Sequence, residues 1–173
     1  MRQVKINSTT GSEIVTTADV KLYARIDTAS DDTLIARMIT QARIWCENYI
    51  SRDIVAKNRT YYMDSTNGVF DIPFAPVSSI SSVTLDGTAS TDYTMLGLDD
   101  ETMELDGGAS EKVKVTYVTS GLDDSLLIQA ILQLTATYYD NRSDVFEGNS
   151  RFGQVEIPTS VKNILSSYRS MYI

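Results

Sequence analysis

Apolar positions keep a helical period near both ends of the chain and a two-residue period between them. The most apolar helical stretch is Asp123 to Arg142, DDSLLIQAILQLTATYYDNR. Leu126, Leu127, Ala130, Ile131, Leu134 and Tyr138 form one stripe, and Ile128, Leu132, Thr135 and Tyr139 form a second beside it. Only Gln129, Gln133, Ala136 and Asp140 are left for a wet face, so this helix is expected to be central or wedged between two bodies. The second body is either another part of this chain or another copy of it.

Taken in order, residues 1–16 alternate weakly and predict an extended or partly mobile arm rather than a packed element. Thr16 or Thr17 reads as the N-cap of a short helix through Val20, Tyr23 and Ala24. Asp31 and Asp32 then place negative charge at the start of a long amphipathic helix. Its apolar face is Leu34, Ile35, Met38, Ile39, Ala42, Trp45, Cys46 and Tyr49, with Arg37, Gln41, Arg43, Glu47 and Asn48 off it.

After Ser51 the period drops to two. Strands are expected over 57–64 and 69–72, joined as a hairpin by Asn67-Gly68, then over 77–85, 92–96, 102–105 and 111–119. Asp86-Gly87 and Gly107-Gly108 read as turns, and Pro73 and Pro76 mark an edge or corner. The polar stretch 143–156 is long for a loop in a compact domain. A last helix, 159–168, is expected after Pro158, and the chain ends SYRSMYI, a greasy terminus that reads as a docking segment. The fold class is α+β: a helical bundle of about four helices with an inserted small antiparallel β-sheet or partial barrel. We expect one domain over 1–173. Its parts are an N-terminal arm (1–16), helices (17–55), a β-rich insert (56–120), the central helix (121–142), a loop (143–156), and a C-terminal helix with docking tail (157–173).

A net charge of −8 argues against a nucleic-acid surface built from dense Lys and Arg, while leaving DNA as a neighbour that slides past an acidic wall. The absence of histidine removes Ser-His-Asp and Cys-His catalysis and the commonest transition-metal ligand. The lone Cys46 lies on an apolar face and reads as a small buried hydrophobe. The acidic clusters Asp31-Asp32, Asp99-Asp100-Glu101 and Asp123-Asp124 lack metal-loop spacing, and two of them precede helices, where capping explains them. No catalytic, cofactor-binding or metal site is expected, and the chain is not read as an enzyme. No export signal or membrane-spanning run is present, so the product is expected to be cytosolic where it is made.

The order of parts resembles a known family. The segment TTADVKLYARIDTASDDTLIARMITQARIWCENYISRDI resembles the N-terminal half of tailed-bacteriophage head-tail connector proteins, the adaptor family of the neck. Ala18, Asp19, Val20, Lys21, Arg25, Ile26 and Asp27 match its "ADVKxxxRID" helix. Asp31, Asp32, Leu34, Ile35, Ile39, Ala42 and Arg43 match "DDxLIxxxIxxAR". IPFAPVSSISSVTLDG over 72–87 looks like the family's Pro-containing β insert. YYDNR over 138–142 and IPTSVKNILSSYR over 157–169 look like its two closing motifs.

The resemblance implies a structural virion protein, a ring of about a dozen copies between the portal protein and the next neck protein, with DNA passing through the lumen. It implies no cofactor and no membrane, a place in the virion neck, and host cytoplasm during assembly. On this resemblance, Ile128, Leu132 and Tyr139 are the expected subunit interface. Tyr168, Arg169, Met171, Tyr172 and Ile173 are the expected portal-docking residues, and the 143–156 loop reorders on assembly. A tail-completion or stopper protein of the same neck is the alternative.

Overall fold

Local signals at the chain's turns and caps set most of its elements. The computed structural model describes residues 1–141 and 157–169, so the 143–156 loop and Met171 to Ile173 lie outside the described residues. Among those described are two compact units: a β unit (1–12 and 51–122) and a helical unit (13–50 and 123–169). The α+β expectation of about four helices and small antiparallel sheets is met.

The helical unit holds α1 (Thr17–Ala24), α2 (Asp32–Ile50), α3 (Ser125–Asp140) and α4 (Thr159–Ser166). A capping box starts α1: the Asp19 amide donates to the Thr16 hydroxyl while the Thr16 amide donates back to the Asp19 carboxylate. Arg25, in the left-handed region at φ 55°, ends it. At the start of α3 the Asp124 carboxylate accepts from the Leu126 amide at 2.8 Å.

α2 buries Ile35, Met38, Ile39, Ala42 and Cys46 as its stripe requires. It also buries Arg43 and Glu47, which helical spacing puts outside that stripe. The reason is a polar cluster. Arg43 Nη1 donates to Glu47 at 2.7 Å along one helix face, and Arg43 Nε donates to Glu13 at 2.7 Å, so the charges are paired where they lose water.

The β unit has β1 (Arg2–Thr9), β2 (Lys57–Thr66), β3 (Val69–Asp71), β4 (Val77–Leu85), β5 (Thr88–Ser90), β6 (Tyr93–Leu96), β7 (Thr102–Leu105) and β8 (Ser110–Thr119). They form an antiparallel five-stranded sheet, β1-β2-β8-β4-β5, and a three-stranded sheet, β3-β7-β6. Asp86-Gly87 closes the β4–β5 hairpin with both residues at positive φ, as expected.

The Asn67-Gly68 hairpin does not form. β2 is flanked by β1 and β8, and β3 pairs with β7. Gly68 is needed instead because a Cβ there would lie 2.8 Å from the Gly108 backbone, and its φ is +109°. The N-terminal arm is extended as expected, but it is also paired, adding β1 to the edge of β2. Tyr61, Met63, Val83, Val113, Val115 and Tyr117 of the larger sheet share one core with Phe70, Met103 and Leu105 of the smaller.

Candidate assembly surfaces

α3 is the most enclosed helix. Leu127, Ala130, Ile131 and Leu134 are fully buried, and α1, α2 and α4 all pack against it. The second stripe is partly covered too: Ile128, Leu132 and Tyr139 are half-buried and Thr135 is fully buried. The Tyr139 hydroxyl donates to Asp31 at 2.7 Å. Three of this helix's neighbours therefore come from its own chain, and Leu126 is left 50% exposed. Leu22 and Ile44, which no sequence stripe singled out, are also exposed in this unit.

Of the expected docking residues, Tyr168 is half-buried and Arg169 exposed, while Met171, Tyr172 and Ile173 fall outside the described residues. The Tyr168 hydroxyl bonds the Asp124 carboxylate, which raises the phenol above its ordinary range, with burial adding to it. The same bond, helped by the Leu126 amide, lowers the Asp124 carboxyl. The Arg169 guanidinium lies 5.7 Å from the Tyr49 ring centre. The chain after α4 is thus tied back to the start of α3 and the end of α2.

The β unit contains a charged cluster that pattern reading passed over. Asp53, wholly buried, accepts from Lys57 Nζ at 2.8 Å, Arg59 Nε at 2.7 Å, Arg59 Nη2 at 2.6 Å and the Thr119 hydroxyl at 2.9 Å. Burial alone would raise its carboxyl. The hydrogen bonds from Arg59 and Lys57, with their charges, outweigh that and hold it below the usual carboxylate range. The signal was present in the sequence: Lys57 and Arg59 occupy the same alternate positions as buried Tyr61 and Met63, so two cations had to point inward. Arg59 also stacks on Phe74, 3.7 Å from the ring centre.

Other groups that could do chemistry are engaged elsewhere. Asp32 pairs with Lys21 at 2.9 Å and Asp99 with Arg52 at 2.8 Å. Burial, with the neighbouring Glu47 charge, pushes the Cys46 thiol up to about 12, which keeps it in the unreactive thiol form. Among the described residues no group of acidic, cysteine or histidine side chains is placed to hold a metal ion, and no helix is long and apolar enough to cross a membrane.

A family model described as head completion protein matches residues 13–171. The chain belongs to the head completion protein family. The head-tail connector resemblance read from its motifs and this family agree. No curated protein sequence matches this chain.

Among the solved chains that share its fold, three come from gene transfer agent particles. One, from the neck of an empty GTA particle computed with C6 symmetry, has a TM-score of 0.76 at 16% identity and covers 99% of this chain and 97% of its own. A second, from the virion of a native gene transfer agent (GTA) particle, has a TM-score of 0.71 at 15% identity and the same coverage of both chains, 99% and 97%. The third, from the neck of a native GTA particle computed with C12 symmetry, has a TM-score of 0.65 at 15% identity and covers 96% of this chain and 97% of its own.

Proposed function

We propose that this chain is a structural neck protein of a phage-like particle, and specifically the adaptor whose copies form a ring between portal and the next neck protein. The observation that carries the reading is the family match over 13–171, joined by a fold shared almost end to end with chains from particle necks. A ring of about a dozen copies accords with the twelvefold symmetry used for one of those necks. The packing of α1 and α2, from the N-terminal half, with α3 and α4 favours an adaptor over a stopper built chiefly on a β barrel. In this reading the net charge of −8 lets DNA pass through the lumen without being held. The virion neck is its destination and the host cytoplasm its place of assembly.

Two contacts follow. The half-buried stripe of Ile128, Leu132 and Tyr139 gives a neighbouring copy apolar surface to complete. The segment from Tyr168 and Arg169 through Met171, Tyr172 and Ile173 docks on portal. Electron microscopy of the purified protein with and without portal tests the reading, with rings on portal expected. Removing residues 168–173 should leave a folded protein that no longer binds portal; retained binding refutes the docking role.

A further inference from the structure

The last helix and the residues after it are held in different ways. Up to Leu165 the chain is packed: Val161 and Leu165 are fully buried, and the Ser160 hydroxyl donates to Gln133 of α3 at 2.9 Å. The final turn then tightens, with the Ser167 amide donating to the Ile164 carbonyl at 3.3 Å and the Tyr168 amide to the Leu165 carbonyl at 3.1 Å. Beyond that turn the hold passes to side chains. The Tyr168 hydroxyl donates to the Asp124 carboxylate, and the Arg169 guanidinium lies over Tyr49. Tyr49 is a fixed platform, stacked on Trp45 with ring centres 5.2 Å apart.

Both side-chain contacts open at little cost. Asp124 is the N-cap of α3 and keeps its bond from the Leu126 amide when Tyr168 leaves, so opening orphans no buried group. Tyr168 is half-buried and Arg169 exposed, and water takes the place of either partner. Val161 and Leu165 keep α4 seated meanwhile, so the boundary between what stays and what can leave falls between Leu165 and Tyr168. Tyr168 and Arg169 are also where the docking segment begins. A phenol hydroxyl and a guanidinium face committed to the chain's own helices are not available to a partner.

We propose that Asp124 and Tyr49 form a latch that holds Tyr168 and Arg169 back, and that the docking segment binds portal only when this latch opens. The inference rests on the docking reading above and adds its regulation. Only the open form is competent, so the apparent affinity for portal is the intrinsic affinity reduced by the fraction of chains that are open. Portal, by taking Tyr168 and Arg169, pulls the equilibrium toward that form. Before portal is met, the start of the greasy SYRSMYI end stays against its own helices, which limits its use as a sticky patch between free copies.

The test uses two full-length variants that change the latch and leave the docking segment intact. Asp124→Ser keeps a good N-cap for α3, while its shorter side chain withdraws the acceptor from Tyr168. Tyr49→Leu keeps an apolar side chain on α2 and removes the ring under Arg169. Trypsin cleavage after Arg169 reads the latch without portal and should be faster in both variants, with Asp124→Ser unfolding at the wild-type temperature. Portal affinity should rise by about three- to tenfold in each. Cleavage at the wild-type rate overturns the latch, and so does faster cleavage with portal binding unchanged or weaker. In either case, loss of portal binding on removing residues 168–173 leaves the docking reading standing. Retained binding after that removal overturns the docking reading itself, and the latch with it.

Discussion

In α3, Leu127, Ala130, Ile131 and Leu134 are sealed by three other helices of the same chain, whereas in β1 every residue is exposed, including the core-facing Val4 and Ile6. Periodicity ranks α3 as the element with surplus apolar surface. The fold instead completes most of α3 and leaves β1, Val69 and Leu98 uncovered. Apolar content along an element measures how much cover it needs, but only the topology says whether the chain supplies that cover itself. β1 is a sheet edge added to β2, and the smaller sheet ends before reaching it.

The largest expected effect tests the anchor from which β1 hangs. Asp53→Ala removes the carboxylate that takes two hydrogen bonds from the buried Arg59 guanidinium and one from Lys57, and should cost about 3–5 kcal/mol in chemical denaturation. Amide exchange in β1 and β2 should rise with it; a loss confined to the helical unit would contradict the arrangement. Next, Leu134→Ala in α3 should cost about 2–5 kcal/mol, while Ile6→Ala in β1 should stay within about 0.5 kcal/mol in the unassembled protein. Equal losses at the two positions would erase the contrast.

The pH response gives a third check. Because the folded carboxyl of Asp53 lies below its unfolded value, its contribution is complete above the unfolded pKa of about 4. That contribution disappears as pH falls through the folded value. Wild type should therefore lose stability steeply below about pH 4 and Asp53→Ala less steeply, read from thermal unfolding at stepped pH.

The smallest effect concerns α3. The buried Thr135 hydroxyl has no hydrogen-bond partner among the described residues, so Thr135→Val should raise stability by about 1 kcal/mol. A drop in stability would show that this hydroxyl is solvated or bonded in solution.

The sequence by itself determined what depends on a few neighbouring residues: the Thr16–Asp19 capping box, the Asp124 cap, the Asp86-Gly87 hairpin and the apolar stripe of α2. Its motifs also carried the family, because their order survives along the chain. Tertiary structure decided the rest. Asn67-Gly68 has the residues of a hairpin turn, yet β2 pairs with β1 and β8, strands distant in sequence whose edges no local pattern identifies. Arg43 and Glu47 look like solvent-facing charges until Glu13, about thirty residues away in the chain, completes the pairing that lets them be buried. Helical period and cap chemistry act over one turn, but which face goes dry depends on what packs against it, and that partner is chosen across the whole chain.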